Sequence, residues 1–407
     1  MGENLRASAL FGRSAAAAPG TVVSFRALRA IDDLLDNVAR IQAGQEVLLF
    51  AHVDGLKGSD NLVDAETIEA IRAAIDGRGA HASVLWSDVP DRPHDWGIPR
   101  TLEAAMRGCD VFVNHSFNYV TEENRPLRDL FMKLGIRYVR NFATTIPLLE
   151  SDWAQTPSEL VAEIRYRASQ MIEAGMDWKL DDPNGTYLEG RIAAPNHMWF
   201  PVYACRREEG GGYLPWPEWV HPPINLSGTS GVFVFDRMLS WWSRYIGIPP
   251  FFKEPIRLEI RDGFIIKIGG GAEAEALVRF IDYMEREKGV GRRYEFNAMH
   301  SGVHPNAAVT LDQCPSVTYR RLIEHAHTCN IHMHIGAEHG DKRGYPYWLH
   351  ITGDIRAPTW KIGGRLVHDR GHLTALDHPE VRAVAARYPD RPGLPDTRRP
   401  PPGCEAG

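Results

Sequence analysis

The sequence predicts two unlike halves: an α/β N-terminal domain with a mainly parallel sheet, and an α+β, strand-rich C-terminal domain. Three observations predict this. Up to about residue 175, apolar runs of strand length alternate with segments of helical periodicity. Beyond it, strand-like runs dominate, with one long amphipathic segment among them. Third, eight of the 17 histidines fall between His300 and Asp354, a stretch of 55 residues. Histidine is the commonest transition-metal ligand, and its neutral ring also serves acid–base chemistry. The second domain is therefore the expected metal-binding and catalytic one.

The elements follow in order. Phe25, Leu28, Ile31, Leu34, Leu35, Val38 and Ile41 recur at helical spacing and predict a helix over 22–41. Glu46 to Val53 is a continuous apolar run, as in a strand buried on both faces. Asp64 caps a helix to about Ile75, which Gly77 ends. Strands over 82–86, 110–114 and 136–140 alternate with helices over 101–106 and 126–134. No GxGxxG follows the first strand, so nothing supports a nucleotide site of that kind. His52, His81 and His115 fall near strand ends and are expected as surface or satisfied residues. Thr156-Pro-Ser-Glu159 opens a long helix: Thr as cap, Pro in the first turn, Glu third, with Gly175 ending it. The domain boundary is placed here, giving a Rossmann-like domain over 1–175 and a second domain over 176–385.

Strands are then expected over 176–181, 186–191, 231–235, 256–260 and 264–268. Asp262-Gly263 makes a hairpin turn between the last two. An amphipathic helix over 273–288 precedes the His-rich stretch. The tail over 386–407 is rich in Pro, Gly and Arg, and is expected to be extended or disordered unless a partner subunit holds it. No internal repeat is present.

Composition excludes several classes. The chain has 407 residues, 43% hydrophobic and 24% charged, with net charge −6 and pI near 6.3. Nothing points to nucleic acid, and no apolar run approaches a membrane span. No signal peptide or lipidation motif is read at the N-terminus. Five scattered cysteines without CxxC suit a reducing compartment, and a cytoplasmic location is expected.

Within the His-rich stretch, His332 and His334 are two residues apart. On a strand both rings point to one face about 7 Å apart, suiting two ligands of one ion. His350, Thr352 and Asp354 repeat that spacing. Asp354 would lie about 13 Å from His350 on a regular strand, and Gly353 offers a bulge to shorten that. His300 and His304 are expected on a Gly- and Pro-containing loop. His325 and His327 read as helical, where residues two apart diverge, so they are expected not to bind. Glu338 and His339 are candidate partners that orient a ligand ring. Glu218 sits in a stiff segment between Trp216 and Trp219, and alone reads as a surface carboxylate.

The layout resembles the aminopeptidase T family of metallopeptidases, with its relative 2,5-dihydroxypyridine 5,6-dioxygenase, over residues 30 to 370. The family's GExVLI strand resembles Gly44-Gln-Glu-Val-Leu-Leu49, and its DPxGTDL resembles Asp182-Pro-Asn-Gly-Thr-Tyr-Leu188. Its LPxGEVxxxP resembles Leu214-Pro-Trp-Pro-Glu-Trp-Val-His-Pro222, which places a metal-binding role on Glu218. Its GxNP resembles Gly302-Val-His-Pro305, and its HIAxG resembles His334-Ile-Gly-Ala-Glu338, placing a ligand on His334. Its HxD resembles His350-Ile-Thr352, with Thr352 where the family has an aspartate ligand. A second family glutamate has no counterpart; Ala298 or His300 occupies its neighbourhood.

A dinuclear peptidase needs bridging carboxylates to hold an activated water. Here histidines replace carboxylates, which favours one softer, redox-capable ion such as Fe(II). The resemblance implies a mononuclear non-haem Fe(II) dioxygenase that cleaves the ring of a small hydroxylated aromatic or N-heterocyclic compound with O2. His334 and His350 would bind the ion with one of His300, His304, Glu218 or Asp354. His304 or His332 would move protons. The tryptophans Trp216, Trp219, Trp241 and Trp242 could stack a flat substrate, though core packing explains most of them. One alternative is a metal-dependent aminopeptidase or amide hydrolase using Zn(II) or Co(II), with Glu218 or Glu338 as general base. Another is a degenerate, non-catalytic member. The resemblance also implies a homodimer.

Overall fold

A computed structural model describes residues 5–6, 22–53, 62–87, 98–116, 125–172, 174–192, 213–217, 224–237, 243, 246–288, 294–336, 349 and 351–395. The strands, in chain order, are β1 (Leu5–Arg6), β2 (Val22–Val23), β3 (Glu46–His52), β4 (His81–Ser87), β5 (Val111–Asn114), β6 (Arg137–Asn141), β7 (Asp177–Asp181), β8 (Tyr187–Arg191) and β9 (Tyr213–Trp216). They continue with β10 (Ile224–Asn225), β11 (Ser230–Arg237), β12 (Phe251–Arg261), β13 (Phe264–Gly269), β14 (Phe296–Ser301), β15 (Asn330–Ile335), β16 (Ile351–Arg356), β17 (Thr359–Ile362), β18 (Arg365–Asp369) and β19 (His372–Leu373).

A five-stranded parallel sheet has the order β4-β3-β5-β6-β9. The six residues of β3 after Glu46 are all buried, the burial that its continuous apolar run predicts. Leu48, Phe50, Phe112 and Tyr138 face the helices Arg100–Met106 and Arg125–Leu134, and Phe131 stacks on Tyr138 with centroids 4.9 Å apart. Val47, Leu49, Val113 and Val139 face the other way, into the main core. Helices therefore cover the sheet on both sides. The strand order and helix packing give the mixed α/β architecture expected. One member was not expected: Tyr213–Trp216 lies beyond residue 175, yet returns to pair with β6.

The predicted helix over 22–41 is an α-helix from Phe25 to Asp32 that widens into a π-helical stretch from Asp33 to Val38. Asp33 there is buried and links distant elements. Its carboxylate accepts from Ser158 Oγ at 3.0 Å and from Trp216 Nε1 at 3.1 Å. The Ser158 backbone N–H also points to it at 3.3 Å. Asp33 thus serves the start of the helix Ser158–Gln170, the role expected of Thr156, whose hydroxyl instead donates back to Asp152 O. Asp64 caps the helix Ala65–Gly77 as expected, at 2.5 Å from Thr67 N.

β1 and β2 pair only with each other, and the remaining strands form two larger antiparallel sheets. One has eight strands, in the order β13-β12-β11-β8-β7-β17-β18-β19. Its β12–β13 hairpin turns at Asp262 and Gly263, both at positive φ (51° and 80°), as the Asp-Gly pair predicts. The other has four strands, β10-β14-β15-β16, and carries the histidines. The two sheets meet where Gly353 of β16 lies under the rings of Phe233 and Phe235; a Cβ there would stand 2.7 Å from Phe235. The start of the tail is packed on this chain itself. Tyr388 donates to Glu159, Arg387 pairs with Glu159 at 2.6 Å, and Arg391 donates to Gln155 O at 2.8 Å. Beyond residue 395 the tail lies outside the described residues.

Candidate metal centre

The site begins with strand register. β14 and β15 pair with His300 opposite His332; β15 and β16 pair with His332 opposite Asp354 and His334 opposite Thr352. Opposed residues in an antiparallel pair share a face. His300, His332, His334, Thr352 and Asp354 therefore stand on one face, and all five are buried. Ring centroids are 4.8 Å apart for His300–His332, 4.8 Å for His300–His334 and 5.2 Å for His332–His334. One ligand nitrogen from each ring lies within 4.8 Å of the others.

An ion with metal–nitrogen bonds of about 2.1 Å separates two ligand nitrogens by at most roughly 4.2 Å. Small ring rotations close that difference, so the triad fits a transition-metal ion. The hydroxyl of Thr352 adds a second indication. It is buried beside His334 and has no hydrogen-bond partner among the described residues. A buried hydroxyl in that state calls for a partner.

Asp354 has a different place from the one expected. Arg321 Nη2 donates to its Oδ2 at 2.9 Å, and His325 Nδ1 lies 2.8 Å from its Oδ1. Both oxygens are engaged, and a guanidinium on the carboxylate opposes a cation there. β15 and β16 run in unbroken register through Gly353, so no bulge moves Asp354. Asp354 thus holds His325 in place. With a carboxylate as acceptor, His325 Nδ1 carries the hydrogen. The His325 ring lies against His332, centroids 3.5 Å apart. Arg321 also pairs with Glu324, and its guanidinium lies 5.1 Å over the Phe251 ring.

His325 ends the helix Val317–His325, which Ser316 caps by accepting from Tyr319 N at 3.1 Å. His327, expected on the same helix, lies beyond its end in a bridge with His304. His325 was expected to stand apart from the site, yet His325, His332 and Asp354 form a second group with ligand atoms within 4.8 Å of one another. The missed signal is that Arg321 and His325, four apart on a helix, share a face.

His304 stands apart from the triad. The loop expected for both His300 and His304 starts only after Ser301, so His300 is on β14. At Gly302 the backbone runs against Ala326 and His327 too closely for any side chain. His304 is carried past the triad to bridge with His327. Its Nδ1 accepts from Asn306 N at 3.2 Å. Burial, then neighbouring His327, pushes its pKa down to about 3, against a weaker upward pull from the Trp153 backbone. His327 is lowered by burial to about 4. His332, expected to move protons, stands in the triad. Glu218, Glu338, His339 and His350 lie outside the described residues, as do Trp219, Trp241 and Trp242. Trp216 is core, tied to Asp33.

No protein-family model matches the chain. No curated protein sequence matches it either. Among solved structures, the 2,5-dihydroxypyridine dioxygenase of Pseudomonas putida KT2440 is similar with a TM-score of 0.60 at 15% identity, covering 86% of this chain and 96% of that one. Wild-type AmpT from Thermus thermophilus is similar with a TM-score of 0.47 at 13% identity, covering 86% of this chain and 99% of that one. Both are proteins of the kind that the motifs resemble, and at 15% identity the likeness to the dioxygenase is one of fold. The chain shares the mixed α/β fold of the dioxygenase and buries a histidine triad on one face of its four-stranded sheet.

Proposed function

We propose that this chain is a mononuclear non-haem Fe(II)-dependent dioxygenase that opens the ring of a small hydroxylated aromatic or N-heterocyclic compound. The observation that carries the reading is the donor set: three buried imidazoles converge, and the nearest described carboxylate, Asp354, is held by Arg321 and His325. Imidazole ligands suit iron, whereas a two-ion hydrolytic site wants bridging carboxylates. The similarity to the Pseudomonas dioxygenase supports the same substrate class.

His300, His332 and His334 would hold the ion. Iron supplies the redox chemistry that lets O2 react with an aromatic ring. The protein's part is orientation and shielding. The Asp354–His325 pair packs against His332 and fixes its ring plane. Thr352 offers a hydroxyl beside His334 to an oxygen atom of the substrate or of a water. Burial of the face excludes bulk solvent.

A second reading is a Zn(II) hydrolase of peptides or amides. The His325–Asp354 pair favours it, since a carboxylate-held imidazole beside the triad is suited to take a proton from water. Oxygen uptake separates the two. Iron-loaded protein is incubated anaerobically with hydroxypyridines and dihydroxybenzenes and then mixed with oxygenated buffer. The dioxygenase consumes O2 in step with loss of the ring chromophore. No uptake across the panel, with cleavage of aminoacyl amides by the zinc-loaded protein, selects the hydrolase.

A further inference from the structure

The parallel sheet ends in another cluster of buried polar side chains. From β3 the chain goes to β4 on one side and then crosses to β5 on the other. The carboxyl ends of β3 and β5 are therefore a topological switch point, where doubly wound sheets open a crevice and bind ligands. His52 ends β3, Asn114 ends β5 with His115 and Ser116 after it, and Arg140 and Asn141 end β6. All six are buried, whereas the strands just before them are apolar from Val47 to Ala51 and from Val111 to Val113.

The hydrogen bonds assign the proton of His115. The Ala143 backbone N–H donates to Asn141 Oδ1 at 2.9 Å, which fixes the amide's orientation. Asn141 Nδ2, able only to donate, lies 3.0 Å from His115 Nδ1. Nδ1 is thus the acceptor. Burial keeps the ring neutral, its pKa lowered to about 3. A neutral ring that accepts at Nδ1 carries its hydrogen on Nε2. That Nε2 is buried and meets no acceptor among the described residues. Buried donors in that state are few and ask for a partner. Arg140 is also buried there, with its guanidinium 4.5 Å over the Phe142 ring.

We propose that this edge is a binding site for a small oxyanion, a carboxylate or a phosphate, one oxygen of which accepts from His115 Nε2–H. The site lies on a different sheet from the histidine triad and does not depend on how that triad is read.

The test is nuclear magnetic resonance of the full chain with its histidine side chains labelled with nitrogen-15. The first result expected is the Nε2–H tautomer for His115. The second is a saturable shift of that nitrogen on titration with inorganic phosphate or, separately, acetate; the anion that acts distinguishes the two sources. In His115→Gln the amide reaches the Nε2 position, so binding is kept. In His115→Asn it reaches only the Nδ1 position, and binding weakens about tenfold to a hundredfold. His334→Ala binds as the parent does. An Nδ1–H tautomer overturns the proposal in the parent protein alone, whatever the variants do. So does an Nε2–H tautomer that responds to neither anion, which leaves water as the occupant. Binding lost in His334→Ala but kept in His115→Asn also overturns it, by placing the anion at the triad.

Discussion

Asp354 shows how far a residue's type is from its role. Spacing marked it as a ligand, and it is on the correct face, but its carboxylate carries Arg321 and His325. The pairing depends on a helix that is distant in sequence, which no local pattern encodes. Asp354→Ala leaves the Arg321 guanidinium buried without its partner across the sheet. Such a loss costs about 3–5 kcal/mol, and urea denaturation should show it as a lowered midpoint at unchanged slope. A midpoint within error of the parent would mean that Asp354 and Arg321 are solvated. His332 and His334 were legible because a period of two is a strand property, visible without any partner. His300 was already a candidate, but its place opposite His332 was not legible, since only pairing with β15 sets it. For Glu218, Glu338 and His350 the sequence reading stands as an expectation.

At the scale of elements, apolar periodicity predicted most strands and helices, and failed where a tertiary contact decides. The break from α to π geometry at Asp33 lets one carboxylate reach Ser158 and Trp216, a need that the 22–41 periodicity does not reveal. β14 read as a loop because Gly302 and Pro305 follow it closely, yet Gly302 is required by backbone contact rather than by a turn. Gly353 is the counterpart between sheets. Its missing side chain makes room for Phe235, so Gly353→Ala overpacks the contact between β16 and β11. The expected loss is about 1–3 kcal/mol, read as a lower thermal midpoint and partly regained in Gly353→Ala with Phe235→Leu. A neutral single substitution would show that the two sheets separate freely at that point.

Across the whole molecule, the histidines set a dependence on pH. Burial lowers His52, His115 and His304 to about 3 and His327 to about 4, against an ordinary value of 6.5. Below pH 6.5 the unfolded chain therefore binds more protons than the folded one. Stability is fully present above that value and is lost as pH falls toward the folded values. Each pH unit in that window removes up to roughly 1.4 kcal/mol per histidine. Urea midpoints should change little from pH 7.5 to about 6.5 and fall steeply from there to pH 5, and a flat profile would contradict the buried neutral rings. The α/β class was legible from alternating patterns, since each helix and strand carries its own period. The return of Tyr213–Trp216 to the first sheet was not, because a short strand carries no record of its partner.

The central claim is that His300, His332 and His334 hold one redox-active ion. Elemental analysis of anaerobically purified protein, alongside the His300→Ala and His334→Ala variants, tests it most directly. About one iron per chain is predicted for the parent, as a mononuclear imidazole site requires. Each variant should lose it while keeping the parent's circular dichroism. Zinc, or about two ions per chain, would contradict the dioxygenase and favour the hydrolase. Full occupancy in either folded variant would contradict the site itself.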